Sequence, residues 1–160
     1  MVIQPKIGRN LHLLKQKIHH HFLKLATNKV ELLLNRLGDL KESGANETKN
    51  TAGDKHETAL AMVQMEQANI REQLKDALAQ KTILEKINPE IVANKIINGS
   101  LVKTNNGYFF VSVALGKATI ENLTVIALSA QSPLGLKLMG LKVGDKFLMN
   151  ANQFWIEKIE

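Results

Sequence analysis

Asp54 and Glu57 stand three residues apart in TAGDKHETALAM, residues 51–62, where a polar, glycine-containing stretch turns into a run with helical apolar spacing. Two roles fit that spacing. An Asp at an N-cap accepts a backbone N–H of the first turn and a Glu three residues on reaches back, which is a capping box. Two carboxylates at i and i+3 on a starting helix also point the same way, so both reach one divalent cation or its water shell. The spacing alone leaves both roles open, and the place of this helix start in the fold must decide. His19, His20 and His21 invite a metal reading as well. Consecutive helical positions point about 100° apart, so they cannot converge on one ion without a partner chain, and a polar helix face is expected. His56, between the two acids, is expected to be simply exposed.

The chain has 160 residues, 44% of them hydrophobic and 22% charged, which suits one ordinary domain or a compact domain with an extended element. No apolar run approaches the roughly 20 residues of a membrane span, and MVIQPKIGRN lacks the apolar centre of a signal peptide. The absence of cysteine excludes disulfides, thiolate catalysis and zinc–sulfur sites. A cytoplasmic protein is the expectation. The net charge of +6 is uneven, with nine Lys/Arg against four Asp/Glu in residues 1–50. Such an excess suits a polyanionic partner or a solvated basic face. With aromatics at 4%, no stacking platform is expected, and any nucleic-acid contact would act through charge.

The elements that must position these residues follow from periodicity. Leu11, Leu14, Ile18, Phe22, Leu25, Leu33, Leu37 and Leu40 recur in steps of three or four, with a gap at Lys29, and predict one long amphipathic helix from Ile7 to Leu40. A second stripe, Ala59, Val63, Ile70, Leu74, Ala77 and Leu84, runs to the break at Pro89. Two helices of about 50 Å each should pair as an antiparallel coiled-coil hairpin. Its tip is expected at about 43–58, where no large apolar residue occurs and Gly, Asn and Thr disfavour helix. The midpoint then falls near Glu47, and Asp39 lies roughly opposite Asp54.

After Asn88 the period becomes that of strands. KIINGSLVKT, GYFFVSVAL, ENLTVIALSA, KFLMN and FWIEKIE are short β-rich runs punctuated by NNG at 105–107, Gly116 and NAN at 150–152. A short helix fits Pro133–Met139, with Gly140 beyond its end. The expected fold is α+β: a hairpin over 1–88, then a small antiparallel sheet of about five strands with one helix over 89–160. Tyr108, Phe109, Phe147 and Trp155 are expected in its core.

The stretch TVIALSAQSPLGLKLMGLKVGDKF, residues 124–147, resembles the C-terminal domain of the bacterial Gre transcript-cleavage factors, and the likeness extends back through GSLVKTNNG at 99–107. Leu141 replaces the lysine of the family's Gly-Lys-x-x-Gly-Asp turn, and Lys142 follows it. The resemblance implies an FKBP-like C-terminal domain, without the pocket aromatics of the prolyl isomerases. It also implies a coiled coil whose tip carries Gly-Asp-Leu-Ser-Glu-Asn through the secondary channel of RNA polymerase. GDKHET at 53–58 matches that segment as Gly53, Asp54 and Glu57, with Thr58 for Asn and no aromatic near Ala61. GDLKES at 38–43 is locally the closer string and offers Asp39 and Glu42. It precedes the polar connector, and choosing it as the tip puts GANETKNTAG into a helix. The distance to Gly99 also favours Asp54 and Glu57.

The function so implied is that of a transcription elongation factor, not an enzyme by itself. Asp54 and Glu57 would donate oxygen ligands to a Mg²⁺ shared with RNA polymerase, and a backtracked nascent RNA would be cut. No cofactor is expected in the free protein, which should be a monomer. Ser132, Pro133 and Leu134 match the segment that meets the polymerase rim and are expected to be exposed. Lys15, Lys24 and Lys29 on the first helix, and Lys49 and Lys55 near the tip, are candidate contacts to RNA or to acidic channel walls. A regulator that enters the same channel without stimulating cleavage is the neighbouring reading. A coiled-coil scaffold is the reading from another class; it requires apolar residues on the outer hairpin face, where the sequence shows mostly Lys, Gln, Asn and Glu.

Overall fold

The computed structural model describes the backbone of residues 4–49 and 53–160, and the side chains of residues 11–45 and 57–160. Two long helices, α1 (Gln4–Lys49) and α2 (Gly53–Lys86), precede six strands: β1 (Leu101–Thr104), β2 (Gly107–Ser112), β3 (Gly116–Ile120), β4 (Leu123–Ser129), β5 (Lys146–Met149) and β6 (Asn152–Ile159). A short helix, α3 (Pro133–Leu138), lies between β4 and β5. The α+β fold expected from the sequence, a helical hairpin followed by a small sheet domain, is the one observed. The chain divides into two compact units, Lys24–Thr82 and a second that joins Met1–Leu23 to Ile83–Glu160.

Within the hairpin unit, Val30, Leu33, Ile70 and Ala77 are buried together, with Leu37, Leu40 and Leu74 packed around them. Ala26 and Val30 fill the gap noted at Lys29, carrying the apolar line from Phe22 to Leu33. Leu25, placed on that stripe by its spacing, is exposed because Ala26 takes the inward position. Arg36 pairs with Glu66 at 3.3 Å, and a side chain added at Gly44 would touch Val63 at 3.6 Å. Val30 and Leu33 are buried with Ile70 and Ala77 while Gly44 lies against Val63 and Gln67, so partner numbers fall along α2 as they rise along α1 and the pairing is antiparallel.

This register corrects two expectations. Position 36 meets 66 and position 44 lies against 63 and 67, so Asp39 is level with the 63–67 part of α2 and not with Asp54. Likewise, the stretch expected as a connector over 43–58 is helical over 43–49 and again from Gly53; residues 50–52 lie outside the described residues. Extending a helix already nucleated costs a Gly or Asn well under the nucleation penalty, about 1 kcal/mol or less per residue. A Cβ at Gly44 would sit in ordinary contact with Val63 and Gln67 of α2, so this end of α1 packs against its partner helix.

In the other unit the strand order is β3-β4-β2-β1-β6-β5. The sheet has six strands where about five were expected, and it is not wholly antiparallel, since β2 and β4 pair in parallel through Tyr108↔Val125 to Ser112↔Ser129. The added strand is β3, GKATI, which pairs with β4 antiparallel. One face of the sheet carries Val102, Phe109, Val111, Leu128, Phe154 and Ile156 into a core that includes Leu138 of α3. On the other face Phe110, fully buried, stacks on Phe22 of α1 with ring centroids 6.1 Å apart, and His19 meets the same ring edge-on. Two further bonds hold α1 in this unit: Lys15 Nζ donates to Ile91 O at 2.7 Å, and His19 Nε2 lies 2.7 Å from Leu84 O.

Candidate functional site

Asp54 and Glu57 are the second and fifth residues of α2. Glu57 is exposed, while the side chain of Asp54, like those of His56, Lys49 and Lys55, lies outside the described residues. On a helix, residues three apart are surface neighbours. Asp39 and Glu42 are also exposed and also three apart, but they stand inside α1, which continues for seven residues beyond Glu42 to Lys49. Of the two acid pairs, only Asp54 and Glu57 occupy a helix end.

A Mg²⁺ ion takes about six oxygen ligands in octahedral geometry. Among the described residues no three His, Asp or Glu side chains gather as a metal-binding group. Two carboxylates offer at most four of those oxygens, so a pair at the start of α2 would hold the ion only as part of a larger set completed by water, substrate or another protein. His19 is half-buried and held by Leu84 O and Phe110, while His20 is exposed and His21 lies edge-on to Phe22 at 5.3 Å. Each of the three thus has different surroundings.

Lys15 is not available to a polyanion. Its side chain is 1% exposed and bonded to Ile91 O, and burial pushes its pKa below the ordinary lysine value of 10.5, with the charge of Glu160 acting in the opposite direction. An apolar stripe with Leu11, Leu14 and Ile18 on either side buries a lysine at position 15 once the sheet covers α1. Lys24 and Lys29 are exposed.

Ser132 caps α3: its Oγ accepts from Gly135 N at 3.0 Å and donates to Ser129 O at 2.7 Å. Of the three residues expected to be exposed, Pro133 is, whereas Ser132 and Leu134 are half-buried and Leu134 packs on the sheet core. A six-residue helix lying on a sheet turns Leu134 and Leu138 inward and leaves Leu136 out, 66% exposed. Met139 and Val143 continue this open apolar surface, with Lys137 and Lys142 exposed beside it.

Two further findings depart from the sequence reading. Trp155, expected in the core, is 41% exposed on β6. In the hairpin unit Leu25, Leu32, Leu34, Met62, Met65 and Leu78 are exposed, so its outer surface is less polar than composition suggested. Among the described residues no helix is long and apolar enough to cross a membrane.

A scan against protein-family models finds no match for the chain. A search of curated proteins finds none either. Among solved structures the chain is similar to the transcription factor Gfh1 at 19% identity, over 86% of this chain and 92% of that one, with a TM-score of 0.35. A likeness of that size is too low to transfer a function.

Proposed function

We propose that this protein is a transcription elongation factor that enters the secondary channel of RNA polymerase and stimulates cleavage of backtracked RNA. The observation that carries the reading is the position of the acid pair: Asp54 and Glu57 stand in the opening turns of α2, while Asp39 and Glu42 lie well inside α1. A carboxylate pair at a helix end reaches into a foreign active site with little of its own chain in the way. The motif likeness of residues 99–147 to the Gre factors supports the same reading.

Cleavage breaks the bond between phosphorus and a 3′-oxygen of the transcript as a water oxygen bonds to phosphorus. A shared Mg²⁺ would neutralise charge on the phosphate and acidify that water. Asp54 and Glu57 would contribute carboxylate oxygens to this set, and the polymerase and RNA would supply the rest. The chain acts as a donor of ligands and not as an enzyme. Lys55, next to Asp54, and Lys49, five residues before it, would add attraction to RNA, and the surface around Pro133 and Leu136 would anchor the sheet unit on the polymerase.

The test is transcript cleavage in stalled elongation complexes. Asp54→Asn with Glu57→Gln should abolish stimulation and leave polymerase binding intact, whereas Asp39→Asn with Glu42→Gln should change neither. Loss of cleavage in the second pair alone would move the site to α1. Inhibition of elongation by the wild type, without cleavage and insensitive to both pairs, would make the protein a channel-blocking regulator.

The coiled-coil scaffold reading gains from the exposed Leu25, Leu32, Leu34, Met62, Met65 and Leu78. It requires those side chains to be covered by a partner. Leu32→Lys and Met62→Lys would then abolish function, while a polymerase ligand donor would keep its cleavage activity.

A further inference from the structure

The Lys24–Thr82 unit holds nine Lys and Arg against nine Asp and Glu, whereas the unit that joins Met1–Leu23 to Ile83–Glu160 holds twelve against six, four of its net positive charges in the start of α1 and two in residues 83–160. On that unit one exposed row crosses four strands. Tyr108 of β2 faces Lys103 of β1, whose Nζ lies 5.9 Å from the Tyr108 ring centroid and 3.7 Å from Glu157 of β6. Trp155 is two residues from Glu157 on the same side of β6, and across from Trp155 stands Lys146 of β5. Next in the row, Leu148 faces Gln153 and is 65% exposed.

The backbone at Trp155 is anchored. Its N donates to Asn105 Oδ1 at 2.9 Å, and Asn105 Nδ2 donates in turn to Gln153 O at 2.9 Å. Glu157 is engaged by Lys103, and Asp145 Oδ2 accepts from Lys142 N at 2.8 Å. Lys146 is exposed and has no ion-pair partner among the described residues. An exposed aromatic face beside an unneutralised lysine is the pairing that stacks a base and attracts its phosphate.

We propose that this face binds single-stranded nucleic acid, with an unpaired base stacked on Trp155 and a flanking phosphate drawn by Lys146. Stacking needs a base face free of its duplex neighbours, so strands are favoured over duplex. It reads neither sequence nor sugar, so RNA and DNA strands should bind alike. The proposal is independent of the acid pair on α2 and of cleavage.

Trp155 is the single tryptophan of the chain, so its fluorescence reports the site directly. Titration with a short oligouridylate or oligothymidylate at low salt should quench it. A labelled strand should lose about tenfold in affinity on Trp155→Ala, in line with the cost of removing one stacked base. Lys146→Gln should weaken binding and flatten its dependence on salt by about one unit of log–log slope, while Lys117→Gln, on the far edge strand β3, should not. Trp155→Phe, which keeps a stacking ring, should retain most of the affinity and guards against a fold defect in the Ala variant. The proposal is overturned if neither strand quenches Trp155, if duplex binds as tightly as single strands, or if Trp155→Ala binds normally. Quenching by nucleic-acid-free RNA polymerase but not by the oligonucleotides would make the face a protein interface and overturn it equally.

Discussion

Replacing Gly135 by Ala sets two physical rules against each other. Gly135 lies inside α3, where Ala is favoured over Gly by about 1 kcal/mol on helix propensity alone. Yet a Cβ built there would lie 2.0 Å from Ser129 O and 2.9 Å from both Cα and C of Ala130. Contacts under 3.0 Å are essentially absent from real side chains, so the helix start and the end of β4 must separate by about 1 Å. Ser129 has little freedom to give way, because it pairs with Ser112 at the end of the parallel β2–β4 ladder.

Ser129 O also accepts from Ser132 N at 3.0 Å and from Ser132 Oγ at 2.7 Å, and a 1 Å displacement takes both beyond hydrogen-bond range. Two lost bonds cost about 0.5–1.5 kcal/mol each, and the overpacking itself a further 1–3 kcal/mol. The sum outweighs the propensity gain, and Gly135→Ala should destabilise the sheet unit by about 2–4 kcal/mol. Urea unfolding followed by Trp155 emission measures this, with Leu136→Ala as a surface control expected within about 0.5 kcal/mol of wild type. If Gly135→Ala were neutral or stabilising, the tight strand-to-helix turn at Ser129–Gly135 would be wrongly described.

Lys15 carries a pH dependence. Burial lowers its pKa in the folded chain, so the unfolded chain binds the proton more tightly, and stability rises as pH climbs toward the ordinary lysine value of 10.5. Lys15→Met should remove that rise, so the difference between the melts of the two proteins should shift in favour of the wild type as the solution becomes more alkaline. Ala151 has φ of +65°, a left-handed conformation that costs a non-glycine residue about 1–2 kcal/mol, and Ala151→Gly should raise stability by about 0.5–1 kcal/mol after glycine's entropic cost. Thermal denaturation checks the sign, and a loss would mean that the β5–β6 turn differs from the one described. Leu136→Asp should leave the melting temperature unchanged and weaken polymerase binding at least tenfold in a pull-down titration; Leu134→Asp does not discriminate, because Leu134 packs on the core.

The long helices were legible because Ile18, Phe22, Leu33, Ile70 and Leu84 repeat at helical spacing, and those residues are the buried ones. Lys15 and Leu25 were misread because position on a stripe sets only direction, and the sheet that covers Lys15 comes from residues far along the chain. The helix through Glu42–Lys49 was missed because propensity was weighed without the pairing that brings Gly44 against Val63. The strand GKATI was missed because its outward residues are Lys117 and Thr119 and one inward residue is only Ala118, so its alternation carries little apolar contrast. The parallel β2–β4 pairing has no local signal at all, because β3 intervenes in sequence and hairpin cues describe only neighbours. At the candidate site the acid pair was visible as chemistry, whereas the register that separates it from Asp39 depends on packing between helices.

The exposure of Trp155 follows from the same limit and alters what the protein can contact. On β6, Phe154 and Ile156 face the core, so alternation alone sends Trp155 outward once the register is fixed. A single aromatic in a chain with 4% aromatics says little by composition, but its neighbours are decided by pairing: β5 brings Lys146 opposite, and β1 brings Lys103 to Glu157. The net charge is divided too, since the Lys24–Thr82 unit is balanced and the +6 lies in the other unit, +4 in residues 1–23 and +2 in residues 83–160. Attraction to a polyanion and donation of carboxylates are opposite electrostatic tasks. Under the proposed function Asp54 and Glu57 belong to the unit of zero net charge, so no excess of cations within that unit competes with a metal ion for their carboxylates.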